Sequence, residues 1–169
     1  MNGRSKYVVM LASGALLLGV PAAASGPSES PMTTKPAAKA FKRAVCPVNE
    51  TLLVMQKIEK GPDVNWETLQ AAVIEVGDAQ IRTADKLAHP KRPWPADVST
   101  YMSAMAELDF IQGGANHTLA SAGSFEEYQA LLKGLQKGVT PTIKAHIKAF
   151  VKARKIVHKR LELPKDSCA

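Results

Sequence analysis

The chain has 169 residues, of which 46% are hydrophobic, 5% aromatic and 22% charged, and its formal net charge is +7. A chain of this size folds as one domain with a real core. Its aromatic side chains are few and none shares a helix face with the C-terminal lysines, which excludes the stacking platforms of single-strand recognition; no nucleic acid is expected as a partner.

Residues 1–24 have the three-part layout of a secretory signal peptide. Arg4 and Lys6 precede an apolar run of 14 residues from Tyr7 to Val20, and Ala22, Ala23 and Ala24 supply the small residues before a cleavage expected after Ala24. The run is shorter than the roughly 20 residues a membrane-crossing helix needs, and no later stretch comes close, so no transmembrane span is expected in the mature chain. The layout predicts a secreted, extracytoplasmic protein of bacterial type. A lipid anchor would need a cysteine at the cleavage point, but the first is Cys46; LPKDS at residues 163–167 lacks the Thr-Gly and hydrophobic tail of a cell-wall sorting signal.

Residues 25–35, rich in Ser, Pro and Thr without apolar period, predict a disordered leader. A helical domain over residues 36–163 follows. No segment has the alternation of a strand. The first helix is expected from Pro47, which suits a first helical position, to Lys60 before Gly61, with a further turn or two before a kink at Pro47. The second runs from Trp66, after Asn65, to about Ala88, where HPKRPWP forbids continuation; Leu69, Val73, Val76, Ala84 and Leu87 form its stripe.

The third helix starts near Pro95 with a seam of Val98, Tyr101, Met105, Leu108, Gln112, Ala115, Leu119 and Ala122. Gly113 and Gly114 interrupt it, which predicts a kink or a close helix contact. The last opens at Ser124 and Glu127 with capping-box spacing and is kinked or split at Pro141, with Thr140 as cap. Phe125, Tyr128, Leu132 and Leu135, then Ile143, Ile147, Phe150, Val157 and Leu161, carry its apolar face. Four such segments predict an all-α, antiparallel up-down four-helix bundle.

Outside the cell, two cysteines pair more readily with each other than with a metal. A Cys46–Cys168 disulfide, with Cys168 in a tail over residues 164–169, would close a loop of about 122 residues, worth roughly 4 to 5 kcal/mol. An even number of antiparallel helices brings the two ends to one pole, as cysteine geometry demands.

CPVNETL, KRPWPADV, SFEEYQALL and LELPKDSC, spread over residues 46–168, resemble segments of uncharacterised small secreted all-helical proteins of actinobacteria, some of them lipoproteins. The resemblance implies a similar bundle and no activity. The missing lipidation cysteine departs from the anchored members.

Charge is segregated. Between Tyr128 and Leu161 stand nine basic residues and no Asp or Glu. The signal peptide holds two of the 22 basic residues and none of the 15 acidic ones, so the mature chain carries +5 and everything outside the basic third −4. At 100° per residue, Lys144, Lys148, Lys152, Lys155 and Lys159 fall within an arc of about 80°, opposite the apolar stripe. This ridge is read either as a surface for an anionic envelope polymer or protein, or as a solvated face partly neutralised by Glu75, Asp78 and Asp85 of a neighbouring helix.

The histidines show no metal-ligand spacing, so no resident cofactor or metal is expected. His146 alone borders an apolar stripe; with Met55, Met102, Met105 or Tyr101 it would make a haem or metal carrier of the extracytoplasmic space, the alternative to a non-enzymatic binding protein. No nucleophile elbow, phosphate loop or acid-base carboxylate pair is present, so catalysis is not expected. Asp109 and Gln112 read as a buried polar pair or a wet edge. Asn49 and Asn116 match glycosylation acceptors, but both fall in predicted helix.

Overall fold

The computed structural model describes residues 29–164, 167 and 168. The expected signal peptide and the first residues of the expected leader lie outside the described residues. Among the described residues there are five helices and no strand: α1 (Thr34–Glu59), α2 (Trp66–Ala88), α3 (Ala96–Ala120), α4 (Phe125–Lys137) and α5 (Pro141–Arg160).

The helix starts follow local chemistry. The Asn65 carboxamide oxygen accepts the Thr68 N–H at 2.9 Å, and the Ser124 hydroxyl accepts the Glu127 N–H at 3.2 Å while the Glu127 carboxylate accepts the Gly123 N–H at 2.7 Å. The last segment is split rather than kinked: Gly138 ends α4, and the Thr140 hydroxyl accepts the Ile143 N–H at 3.3 Å to start α5.

The expected first helix requires correction. It starts at Thr34 and runs unbroken through Pro47. Proline removes one intrahelical bond there, but Ala37, Phe41, Ala44 and Val48 are buried along one face on both sides of it, and the Thr83 hydroxyl of α2 donates to the Ala44 carbonyl at 2.7 Å. A proline inside a helix costs about 3 kcal/mol or more; Phe41 and Val48, buried on either side of it, contribute about 1.5–3 kcal/mol each and together offset that cost. Ahead of α1, within the stretch expected as leader, Met32 is buried and its N–H donates to the Pro93 carbonyl at 2.8 Å.

α2 packs on α3, α1 on α2 and α5 on α3. Late α2 meets early α1 through Thr83 and Ala44, early α2 meets late α3 through Gln70 and the Ala120 carbonyl at 2.7 Å, and early α3 meets late α5 through Asp97 and Arg160 at 3.7 Å. The α2–α3 approach is closest at Gly77 and Gly113: a Cβ on Gly113 would stand 2.6 Å from Ile81 Cγ1 and 2.9 Å from the Gly77 carbonyl oxygen. Of the two alternatives read at these glycines, the structure shows the close contact.

Two apolar clusters result. One gathers Phe41, Leu87, Trp94, Val98, Met102 and Val157 at the pole where the prolines end α2, with the Trp94 indole N–H donating to the Leu87 carbonyl at 2.8 Å. The other sets α4 against the opposite pole, Tyr128 packing with Leu69, Val73 and Leu119 and with the rings of Trp66 and Phe125. At the first pole Glu162 takes a left-handed turn (φ 53°), the Leu163 N–H bonds the His158 carbonyl at 2.9 Å, and the tail returns to α1. Cys46 and Cys168 form the expected disulfide, with α-carbons 5.0 Å apart, but at the middle of α1 rather than at the pole where the helix begins.

Candidate binding cleft

α1 and α5 meet near the pole where α1 begins and α5 ends, where Phe41 and His158 stand edge to face at 5.8 Å and Phe41 and Val157 share one core cluster. Further along, the two helices part. Leu52 and Leu53 of α1 face Ile147 and Val151 of α5 across an open cleft of about 670 Å³, floored by α2 and α3 and closed at one end by Ser167 and Cys168. That volume lies within the range of small-molecule sites. Leu53 is 59% and Val151 48% exposed.

The floor is polar and organised. Gln80 is held at both ends: its amide N–H donates to Gln112 Oε1 at 3.1 Å, and its carbonyl oxygen accepts from Asn116 Nδ2 at 2.7 Å. Thr83 spends its hydroxyl proton on α1. Asp109 is 6% exposed and lines the cleft, yet no described residue hydrogen-bonds its carboxyl and none of the described ion pairs includes it. Burial pushes that carboxyl up to about 7, only partly offset by the Arg154 cation from α5. Burial and the same cation hold the His158 imidazole below its ordinary value, against a hydrogen bond to the Pro164 backbone. Asp109 and Arg154 are the only charged side chains among the described residues lining the cleft. An apolar trough with a few convergent polar groups at its base is suited to seat an apolar body and hold one polar end.

Asp109 and Gln112 both reach the floor, but the partner of Gln112 is Gln80. Arg154, read only as one of the nine basic residues, proves to face inward while Lys144, Lys148, Lys152, Lys155 and Lys159 are all exposed. At 100° per residue that ridge adjoins the Val151 lip of the cleft. The expected neutralisation by α2 is corrected: Asp78 pairs with Arg82 at 3.9 Å and His117 at 3.1 Å, Asp85 pairs with His89 at 3.0 Å, and α2 is not packed on α5. None of the described ion pairs includes a ridge lysine.

His146 stands 3.6 Å from Glu107 and does not line the cleft. The methionines proposed to join it are dispersed: Met55 packs in the α4 cluster, while Met102 and Met105 are buried in the other. Among the described residues no group of three or more His, Cys, Asp or Glu is placed to hold a metal ion. None of the described helices is long and apolar enough to cross a membrane. At the far pole Tyr128 donates to Glu59 at 3.4 Å; burial, the Glu59 charge and this bond all raise the phenol.

No family model matches the chain, and no curated protein or solved structure matches it either.

Proposed function

We propose that this is a small exported bacterial protein that binds rather than catalyses, released by cleavage after Ala24, with its working site in the cleft between α1 and α5. The occupant is a largely apolar small molecule. The observation that carries this reading is the cleft itself: about 670 Å³ of space walled by exposed aliphatic side chains, with a buried carboxyl at its base that no described residue satisfies. Isolated exposed apolar residues are ordinary, but apolar surfaces facing each other across a cleft with a polar floor mark a binding site. In the same reading α1, α2, α3 and α5 form the antiparallel up-down bundle, as their start-to-end contacts suggest, with α4 covering one end and the disulfide tying the C-terminal tail to the middle of α1.

The test is a titration of the purified, oxidised protein with an uncharged fluorophore that brightens in apolar surroundings. Saturable binding at one site is expected, weakened at least tenfold by Leu52→Trp or Ile147→Trp, each of which fills the trough. Binding that does not saturate, or that neither substitution changes, removes the reading.

A second reading assigns the lysine ridge to an anionic envelope polymer or protein, favoured by five exposed lysines outside every described ion pair. Replacing Lys148, Lys152 and Lys155 with Glu should abolish retention on heparin or anionic liposomes at low salt. Unchanged retention would dismiss the ridge.

A further inference from the structure

The walls of the cleft accept any apolar body, but its floor restricts the head group. Among the described residues no fully buried side-chain nitrogen or oxygen lacks a partner. Asp109 has no described partner, so its carboxyl must open onto the cleft rather than into the core. Asn49 and Gln56 line the α1 wall with carboxamides that both donate and accept, whereas the polar groups nearest Asp109 are donors. Arg154 offers its guanidinium fork; Gln112, whose oxygen is occupied by Gln80, still has amide N–H to give; Gln80 is committed at both ends. A carboxylate would use both free donors, bidentate at the guanidinium. An ammonium head would find Asp109 but stand in the field of Arg154, and an alcohol would leave most donors unused.

We propose that the cleft takes an aliphatic monocarboxylate, its chain lying along Val48, Leu52, Ile147 and Phe150 and its head seated on Arg154, Gln112 and the Asp109 carboxyl. This rests on the reading of the cleft as a small-molecule site and names the class of ligand.

The seat couples binding to a proton. Two carboxylates side by side in a low-dielectric floor cannot both stay ionised. The group facing Asp109 from α5 is Arg154, with His158 beyond it; α2 contributes the non-titrating Gln80 and Thr83, and α1 contributes Val45, Val48 and Asn49. Asp109 therefore holds its proton when the ligand arrives and donates it to the incoming head. Above pH 7, where the free carboxyl ionises, binding requires proton uptake and the affinity falls by up to tenfold per pH unit.

Decanoate, decanol and decylammonium, titrated calorimetrically into the oxidised full-length mature protein from pH 6 to 9, test this without any variant. Decanoate is expected to bind at least tenfold more tightly than decanol at pH 6.5, and decylammonium more weakly than either. The decanoate advantage should shrink above pH 7, with proton uptake visible as a dependence on buffer ionisation enthalpy. Arg154→Met should remove the preference for decanoate while leaving decanol within twofold, and Asp109→Asn should flatten the pH profile. Decanol binding as tightly as decanoate overturns the head-group assignment and leaves the cleft standing. Failure of all three to bind overturns the cleft reading itself.

Discussion

Between α2 and α3, Gly77 and Gly113 bring backbone to backbone, and Gln80, Gln112 and Asn116 bond across the gap. Between α1 and α5, Leu52 and Leu53 look across open space at Ile147 and Val151. Both seams belong to helices with apolar faces, so hydrophobicity alone does not decide whether a seam closes. Small residues permit contact in the first. In the second, bulky side chains stand over a floor whose carboxyl and guanidinium would be stranded without solvent or ligand if the helices met. Leaving that apolar area wet forgoes about 25 cal/mol for every Å². A seam that stays open at such a cost is carried by contacts elsewhere, α1 on α2 and α5 on α3.

The disulfide ties the tail beyond α5 to the middle of α1, and removing it should produce the largest effect. A crosslink spanning 122 residues constrains the unfolded chain by about 4 to 5 kcal/mol. Cys46→Ser with Cys168→Ser, or reduction of the native protein, is expected to lower the urea unfolding free energy by that order. Hydrogen exchange should show α1 and α5 loosening first while α2 and α3 keep the slowest amides. A loss under about 1 kcal/mol would mean that packing, and not the bond, keeps the two outer helices in place.

Asp109 distinguishes the seams in a second way, through pH. In the folded protein its proton leaves at about 7, and in the unfolded chain near 3.8. Between those values the folded state binds more protons, so stability falls as pH rises through the window and stays level above it. The open seam thus carries an ionisation penalty on the order of 4 kcal/mol at pH 8 and none at pH 3.5. Asp109→Asn should recover much of this at pH 8 and nothing in acid, seen as urea midpoints that separate only above pH 4. Equal midpoints at all pH values would place the carboxyl in water.

Helix boundaries were legible because their signals are local: Asn65, Ser124 and Thr140 cap, and the prolines after Ala88 stop. The disulfide was legible because each cysteine had one partner available. Pro47 misled because the local rule ignores what Phe41 and Val48 gain by burial on either side of it. The cleft was hidden for a different reason. Periodicity shows which face of α5 is apolar but not whether another helix covers it, so Ile147 read as one more residue of the buried stripe. For Asp109 and Gln112, choosing between a buried pair and a wet edge required knowing that Gln80 and Arg154 stand opposite. Arg154 itself differed from its lysine neighbours only in angle around the helix, a difference that gains meaning once α3 is placed beside it.

The smallest effects lie in the closed seam, where two adjacent glycines should respond in opposite directions. Alanine at Gly113 would put a methyl 2.6 Å from Ile81 Cγ1 and 2.9 Å from the Gly77 carbonyl. The side chain can be moved, but the carbonyl belongs to the α2 backbone, so the helices must separate. Overpacking of this kind costs about 1–3 kcal/mol, offset by about 1 kcal/mol of helix propensity. At Gly114 a methyl meets nothing within 4 Å, and only the propensity gain of up to about 1 kcal/mol remains. Gly113→Ala should therefore lower the thermal midpoint and Gly114→Ala raise it. Ile81→Ala should relieve the Gly113→Ala strain only in part, because the carbonyl stays in place, and a double-mutant cycle measures that remainder. Neither glycine variant should change the affinity of the uncharged fluorophore by more than twofold if the two seams are independent. A large change would mean that the spacing of α2 and α3 also sets the width of the trough above them.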